Sequence, residues 1–246
     1  SLGRLFGLHF WDREHVLEFL RTQERDEILY NTTAFIDLAK SYFTTRWVHF
    51  WPHVVGAVIW WNLYFLQLIP KIRNKFIAFH RYLGRILFVT AAAQVVTAIG
   101  LANTGHSSVV KIVSWIQAVA VSYCIFWAWH FARVKDITRH KYWVVRLVGY
   151  MQFVALQRFW IVFLVVSHKS GWHGLYGPVT ESTSLEERNK LLLQQFDDSF
   201  ILCALTGIYS TEWYMSSTYG WTRARSEVKK PSSKEVNGIN GTKKIS

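Results

Sequence analysis

The chain of 246 residues holds only two cysteines, Cys124 and Cys203, and both lie inside long apolar runs. Thiols so placed support neither a disulfide framework nor a thiolate metal site, and they read as packing residues. Acid is scarce too: sixteen Asp and Glu stand against twenty-eight Lys and Arg, a net charge of +12. The opening residues carry no cleavable signal pattern, and the sequence has no internal repeat of convincing period and no lipidation box. It begins with Ser1 rather than Met, which fits a processed form or a fragment with a span missing upstream.

Charge is scarce above all in residues 47–69, 82–101, 110–131 and 143–166, which hold no acid and only Arg85, Lys111, Arg146 and Arg158, and in 196–215, where Asp197, Asp198 and Glu212 sit near the ends. Each stretch approaches the roughly 20 apolar residues that cross a ~30 Å hydrocarbon core. The fold class this predicts is all-α, an integral membrane bundle of about five transmembrane helices. The connections alternate in charge. Lys71, Arg73, Lys75 and Arg81 precede the second span, and Arg133, Lys135, Arg139 and Lys141 outnumber Asp136 before the fourth. Residues 102–109 carry no charge, and residues 167–194 balance three cations with three acids. Lys and Arg are retained on the cytoplasmic side, so the basic connections and the tail belong there and the amino terminus is exoplasmic.

Three regions follow: an exoplasmic segment 1–46, a transmembrane bundle 47–215 and a basic, disordered cytoplasmic tail 216–246. The excess charge then sits beside membrane ends, where it sets topology and attracts anionic lipid. The bilayer is the implied partner, nucleic acid is not, and other membrane subunits fit a non-catalytic role. In the first segment Phe35, Leu38, Ala39, Tyr42 and Phe43 share one helical face, suited to the membrane interface or to a neighbouring helix. Asn31-Thr32-Thr33 is a glycosylation sequon on the exoplasmic side. Trp and Tyr cluster at span ends as interfacial anchors.

The candidate chemistry lies in the histidines. His49, His53, His106, His168 and His173 fall at the exoplasmic end, and His80, His130 and His140 at the cytoplasmic end. Neutral imidazole is the usual axial ligand of b-type haem, and a bundle can take one ligand from each of two facing helices. His80 and His140 are the expected iron ligands, with His53 and His130 as further candidates and nearby cations for the propionates; the interfacial alternative is that these rings merely cap helix ends. His49 and His53 are four apart, but Pro52 predicts a helix start near Trp51 that leaves His49 outside it. Without a second histidine cluster or carboxylates in the first four spans, a di-iron hydroxylase or desaturase is disfavoured. Arg146 is expected to snorkel near the cytoplasmic end. Arg158, about 12 Å deep at 1.5 Å per residue, should face the interior or a wet cavity, joined by Gln residues of the spans. Both arginines are candidates for binding an anionic ligand, a propionate or a quinone head group.

The string Phe79-His80-Arg81-Tyr82-Leu83-Gly84-Arg85, and the later run from Asp136 through His140, Trp143 and Arg146 with Arg158 beyond it, resemble a widespread family of predicted membrane proteins of unknown function over residues 49–165. Lys141 and Val144 depart from the family's usual Arg and Met. The resemblance implies a bundle and singles out His80, Arg81, Gly84, Arg85, His140, Trp143, Arg146 and Arg158, but implies no reaction. In layout the chain is also similar, by analogy alone, to two-haem transmembrane cytochromes b. The expectations are a redox protein binding haem b or a quinone, a non-catalytic subunit or assembly partner, or a carrier of a small anion.

Overall fold

A computed structural model describes residues 13–22, 30–174 and 176–219, so the basic tail expected to be disordered lies outside the described residues apart from its first four. Nine α-helices run through them: α1 (Arg13–Thr22), α2 (Ala34–Phe43), α3 (Trp47–Leu63), α4 (Pro70–Lys75), α5 (Ile77–Asn103), α6 (Ser108–Arg133), α7 (Ile137–Tyr150), α8 (Phe153–Lys169) and α9 (Leu185–Tyr219). The protein is an all-α membrane bundle. Helices α5, α6, α7 with α8, and α9 are each long and apolar enough to cross a bilayer. Helix α3 has 17 residues and continues as a 3₁₀ turn over Tyr64–Gln67. Their outward faces carry the apolar residues that a soluble bundle would hide: Tyr82, Val89 and Val96 on α5 are each about two-thirds exposed.

Side-chain bonds between neighbouring helices fix common levels. On one side of α5, Gln94 donates to the Gly56 carbonyl of α3 (3.2 Å) and His53 meets Thr97 (3.1 Å). On α6, Gln117 donates to the Tyr150 carbonyl of α7. Gln157 of α8 donates to Ser199 of α9 (2.9 Å). In an apolar setting each such bond satisfies a group that lipid cannot. The glutamines thus tie helix to helix, and none meets Arg158, contrary to the expected shared polar interior.

Three boundaries differ from expectation. Helix α3 starts at Trp47 with Pro52 inside it, because Pro52 falls in the second turn, where its missing N–H leaves only the Val48 carbonyl of an exposed residue unpaired. His49 therefore lies within α3, its ring seated on Gly100; a Cβ there would come 2.4 Å from His49 Nδ1. The expected fourth span is two helices, broken at Met151 and Gln152, and Gln117 takes up the Tyr150 carbonyl at the break. Helix α9 starts eleven residues before the expected span, at a Ser184–Glu187 capping box.

That long α9 anchors three segments at the non-basic end. Asn189 accepts from the Thr33 and Ala34 amides, Asp197 accepts from Ser107 (2.8 Å) and pairs with His106 (3.0 Å), and Asp198 accepts from Tyr176 (2.6 Å). Asp197 and Asp198, acids that weakened the span in the sequence, are loop anchors. Helix α2 packs Phe35 and Leu38 on the core around Phe196, so its apolar face meets a neighbouring helix. The sequon lies just before it, with Thr32 fully buried and the Thr33 hydroxyl bonded to Asn189.

Candidate functional site

At the basic end, helices α3, α5, α6 and α7 enclose a cavity of about 620 Å³, within the size range of sites for drug-sized ligands. His80, from the first turn of α5, and His140, from the first turn of α7, both line it. Local chemistry explains how each arrives. Asp136 caps α7 by accepting from the Arg139 amide (3.0 Å), which starts the helix so that His140 falls on its inner face. Gln67, at the end of the 3₁₀ turn, donates to the His80 carbonyl (3.1 Å) and fixes the start of α5 against α3.

The two imidazoles are close enough to interact electrostatically. His140 Nδ1 lies 2.8 Å from the Ala128 carbonyl. A carbonyl only accepts, so Nδ1 carries the proton, and in the neutral ring Nε2 is left as a bare lone pair. A backbone carbonyl holding the far nitrogen is the usual support of a metal-bound histidine. His80 Nδ1 is buried without a hydrogen-bond partner. Buried polar atoms in native proteins are nearly always satisfied, so this nitrogen marks a place where a partner belongs.

Charge in the cavity has one sign. Arg81, Arg85, Arg133 and Lys135 line it, and none of its described lining residues is acidic. Trp60, Tyr64, Phe88 and Trp129 supply aromatic walls. Lys135 is held at φ 61°, the left-handed position closing α6, where glycine is the usual residue. A strained non-glycine that brings a cation to a cavity mouth is the kind of outlier found at functional sites. Sequence reasoning named His80, His140, Arg81 and Arg85 but missed Arg133 and Lys135 as cavity residues; for Lys135 the signal was a lysine where a helix should close on glycine.

The other candidates lie elsewhere. His130 is exposed on α6 and stacks near Phe126 and Trp127, outside the cavity. His53 is tied to Thr97 toward the opposite end. Arg146 does not snorkel: it is 14% exposed, paired with Glu212 of α9, and lies 5.1 Å over both the Tyr142 and Trp143 rings. Arg158 is exposed, not interior. Ser107 at the start of α6 bonds Asp197, and Gln157 bonds Ser199, two residues further on; Arg158 thus stands within about one turn of the non-basic end and can snorkel there. Its depth was misjudged because α8 and α9 run past the level at which α5 and α6 turn. Among the described residues no group of three or more His, Cys, Asp and Glu could hold a metal ion.

A family profile described as a predicted membrane protein (DUF2306) matches residues 50–173, half of the chain, and the chain belongs to that family. The match contains both cavity histidines and all four of its cations. No curated protein and no solved structure matches the chain significantly.

Proposed function

We propose that this member of the family is a redox membrane protein whose basic-end cavity binds haem b, with His80 and His140 as the iron ligands. The observation that carries the proposal is the pairing of two imidazoles with uncommitted nitrogens in a cavity that holds four cations and no acid. Bound there, haem supplies one-electron chemistry. The chain's own part is to position and to shield. The Ala128 carbonyl orients His140, Gln67 fixes the start of α5 beneath His80, Arg81, Arg85, Arg133 and Lys135 neutralise the propionates, and the aromatic walls exclude water. A quinone, being uncharged, would use the aromatic walls but leave the four cations without a role, so haem is the better fit.

The same reading puts the basic end on the cytoplasmic side and residues 1–46 on the exoplasmic side, supported by the Lys and Arg of the two basic connections. Protease added to sealed right-side-out vesicles should cut within residues 170–184 and spare the tail.

Absorbance of the purified protein tests the cofactor. A Soret band is expected in the wild type and should be lost on His80→Ala and on His140→Ala. A wild type that purifies colourless and takes up no added hemin overturns haem binding. The four cations then support a second reading, an organic anion bound without iron, which isothermal titration with carboxylate or phosphate ligands would detect.

A further inference from the structure

Within the bundle lies a polar centre that the cavity does not use. Arg146 Nη2 donates to Glu212 Oε2, and the Tyr150 hydroxyl donates to Glu212 Oε1 (2.6 Å). Two landmarks on α6 give its depth: Gln117, bonded to the Tyr150 carbonyl, is nine residues from the start of that helix, and Cys124, in electrostatic reach of Arg146 and Glu212, is nine residues from its end. At 1.5 Å per residue the centre between them is at least about 13 Å from either end. Glu212 is the one acid in the membrane-crossing part of α9 inward of Asp198.

Stability alone does not account for this pair. Removing a carboxylate and a guanidinium from water costs several kcal/mol each, and an apolar pair of similar volume would hold two helices as well. Three further features distinguish it from a plain clamp. Arg146 Nε is buried with no acceptor, so the guanidinium keeps a donor in reserve. The Tyr142 and Trp143 rings lie under the guanidinium, a second resting place for its charge when the carboxylate is neutral. The Glu212 side chain is 33% exposed against 14% for Arg146, so the protein packs less tightly around the carboxylate than around the guanidinium. The helix also breaks directly after Tyr150, at Met151 and Gln152, and broken helices within membranes accompany binding sites near mid-depth.

We propose that Glu212 is a proton-binding site inside the membrane, gaining a proton on Oε2 as the Arg146 charge comes to rest on its aromatic rings alone and giving it back as the ion pair re-forms. The proton comes from water and returns to it, and no electron moves. The groups facing Glu212 are Arg146 and Tyr150 of α7 and Cys124 of α6, with Tyr142 standing beyond, against Arg146. This inference stands whether or not the cavity holds haem.

Infrared difference spectra of the protein in lipid nanodiscs, recorded as pH is lowered from about 8 to about 4, test it directly. The wild type should gain the carbonyl stretch of a carboxylic acid in an apolar setting. That band should be absent in Glu212→Gln and displaced in Glu212→Asp, which keeps a carboxylate should the glutamine variant fold poorly. If wild type and Glu212→Gln give the same carboxyl signals, or Glu212→Asp leaves the band unmoved, Glu212 is a fixed ion-pair partner and the proposal fails. A Soret band bears on neither outcome.

Discussion

The two ends of the bundle treat histidine in opposite ways. At the non-basic end most rings are engaged: His53 with Thr97, His106 with Asp197, and His168 Nε2 donating to the Gly177 carbonyl (3.0 Å). His49 is wedged onto Gly100, and among the described residues of that end only His173 keeps a buried Nδ1 without a partner. At the basic end His80 has an unmatched nitrogen, and His140 is oriented by a carbonyl that leaves its other nitrogen free. Acid divides the same way, since Asp197 and Asp198 hold loops at one end while the cavity at the other is lined by cations alone. Histidines at two ends of one bundle can therefore mean fastening in one place and a site in another, and the partner of the second nitrogen tells them apart.

The largest effects should fall on the cofactor. His80→Ala or His140→Ala is expected to lose all bound haem, whereas His53→Ala and His106→Ala should keep a full complement and lose only about 1 kcal/mol of stability each. Pyridine haemochrome assay beside thermal unfolding in detergent separates the two. Equal haem loss at both ends would erase the distinction drawn between them.

Next in size is the buried pair against the exposed arginine. Glu212→Ala leaves a guanidinium without its counter-charge, a loss on the order of 3 kcal/mol. Arg158→Leu, at an exposed site, should change stability by about 0.5 kcal/mol or less. A larger loss for Arg158→Leu would mean that its side chain has a buried partner after all.

The spans and the membrane class were legible in the sequence, because apolar length acts locally. His80 and His140 were legible as a pair because both open helices at the same end. What the sequence hid was depth. Counting from the end of an apolar run put Arg158 inside and Arg146 at the rim, and the structure reverses both, since the level of each residue is set by its neighbours' turns and not by its own helix. Glu212 likewise read as a flaw in a weak span, and only packing shows that it answers Arg146. Close approach hides in the same way: a Cβ on Gly149 would meet Thr211 Oγ1 at 2.5 Å, which a one-dimensional pattern cannot reveal. Gly149→Ala should cost about 1–3 kcal/mol in the same unfolding assay.

A smaller effect with two signs sharpens the argument about the cavity mouth. Lys135→Gly relieves the left-handed strain of a side chain, worth about 1–2 kcal/mol, against the extra chain entropy of glycine of about 0.5–1 kcal/mol. Stability should rise by about 0.5 kcal/mol, while haem affinity falls through the lost cation. A variant that gains stability and keeps its affinity would make Lys135 a bystander.

The most local effect belongs to the fastened end. Burial and the hydrogen bond to the Asp198 carboxylate push the Tyr176 hydroxyl above its ordinary value near 10. A phenol whose folded value is raised stabilises the protein fully below the unfolded value, and that contribution is lost as pH rises from about 10 through the folded value. The connection over residues 170–184 should therefore loosen in alkali before the helices do, seen as faster proteolysis of that segment above pH about 10. Tyr176→Phe removes the hydroxyl and so the pH dependence, at a cost of about 1 kcal/mol at neutral pH. The cavity's histidines lie at the other end, so its Soret band should not move with this transition. A band that shifts together with the loosening would show that the two ends are coupled through α9, and the separation argued from their hydrogen bonds would have to be abandoned.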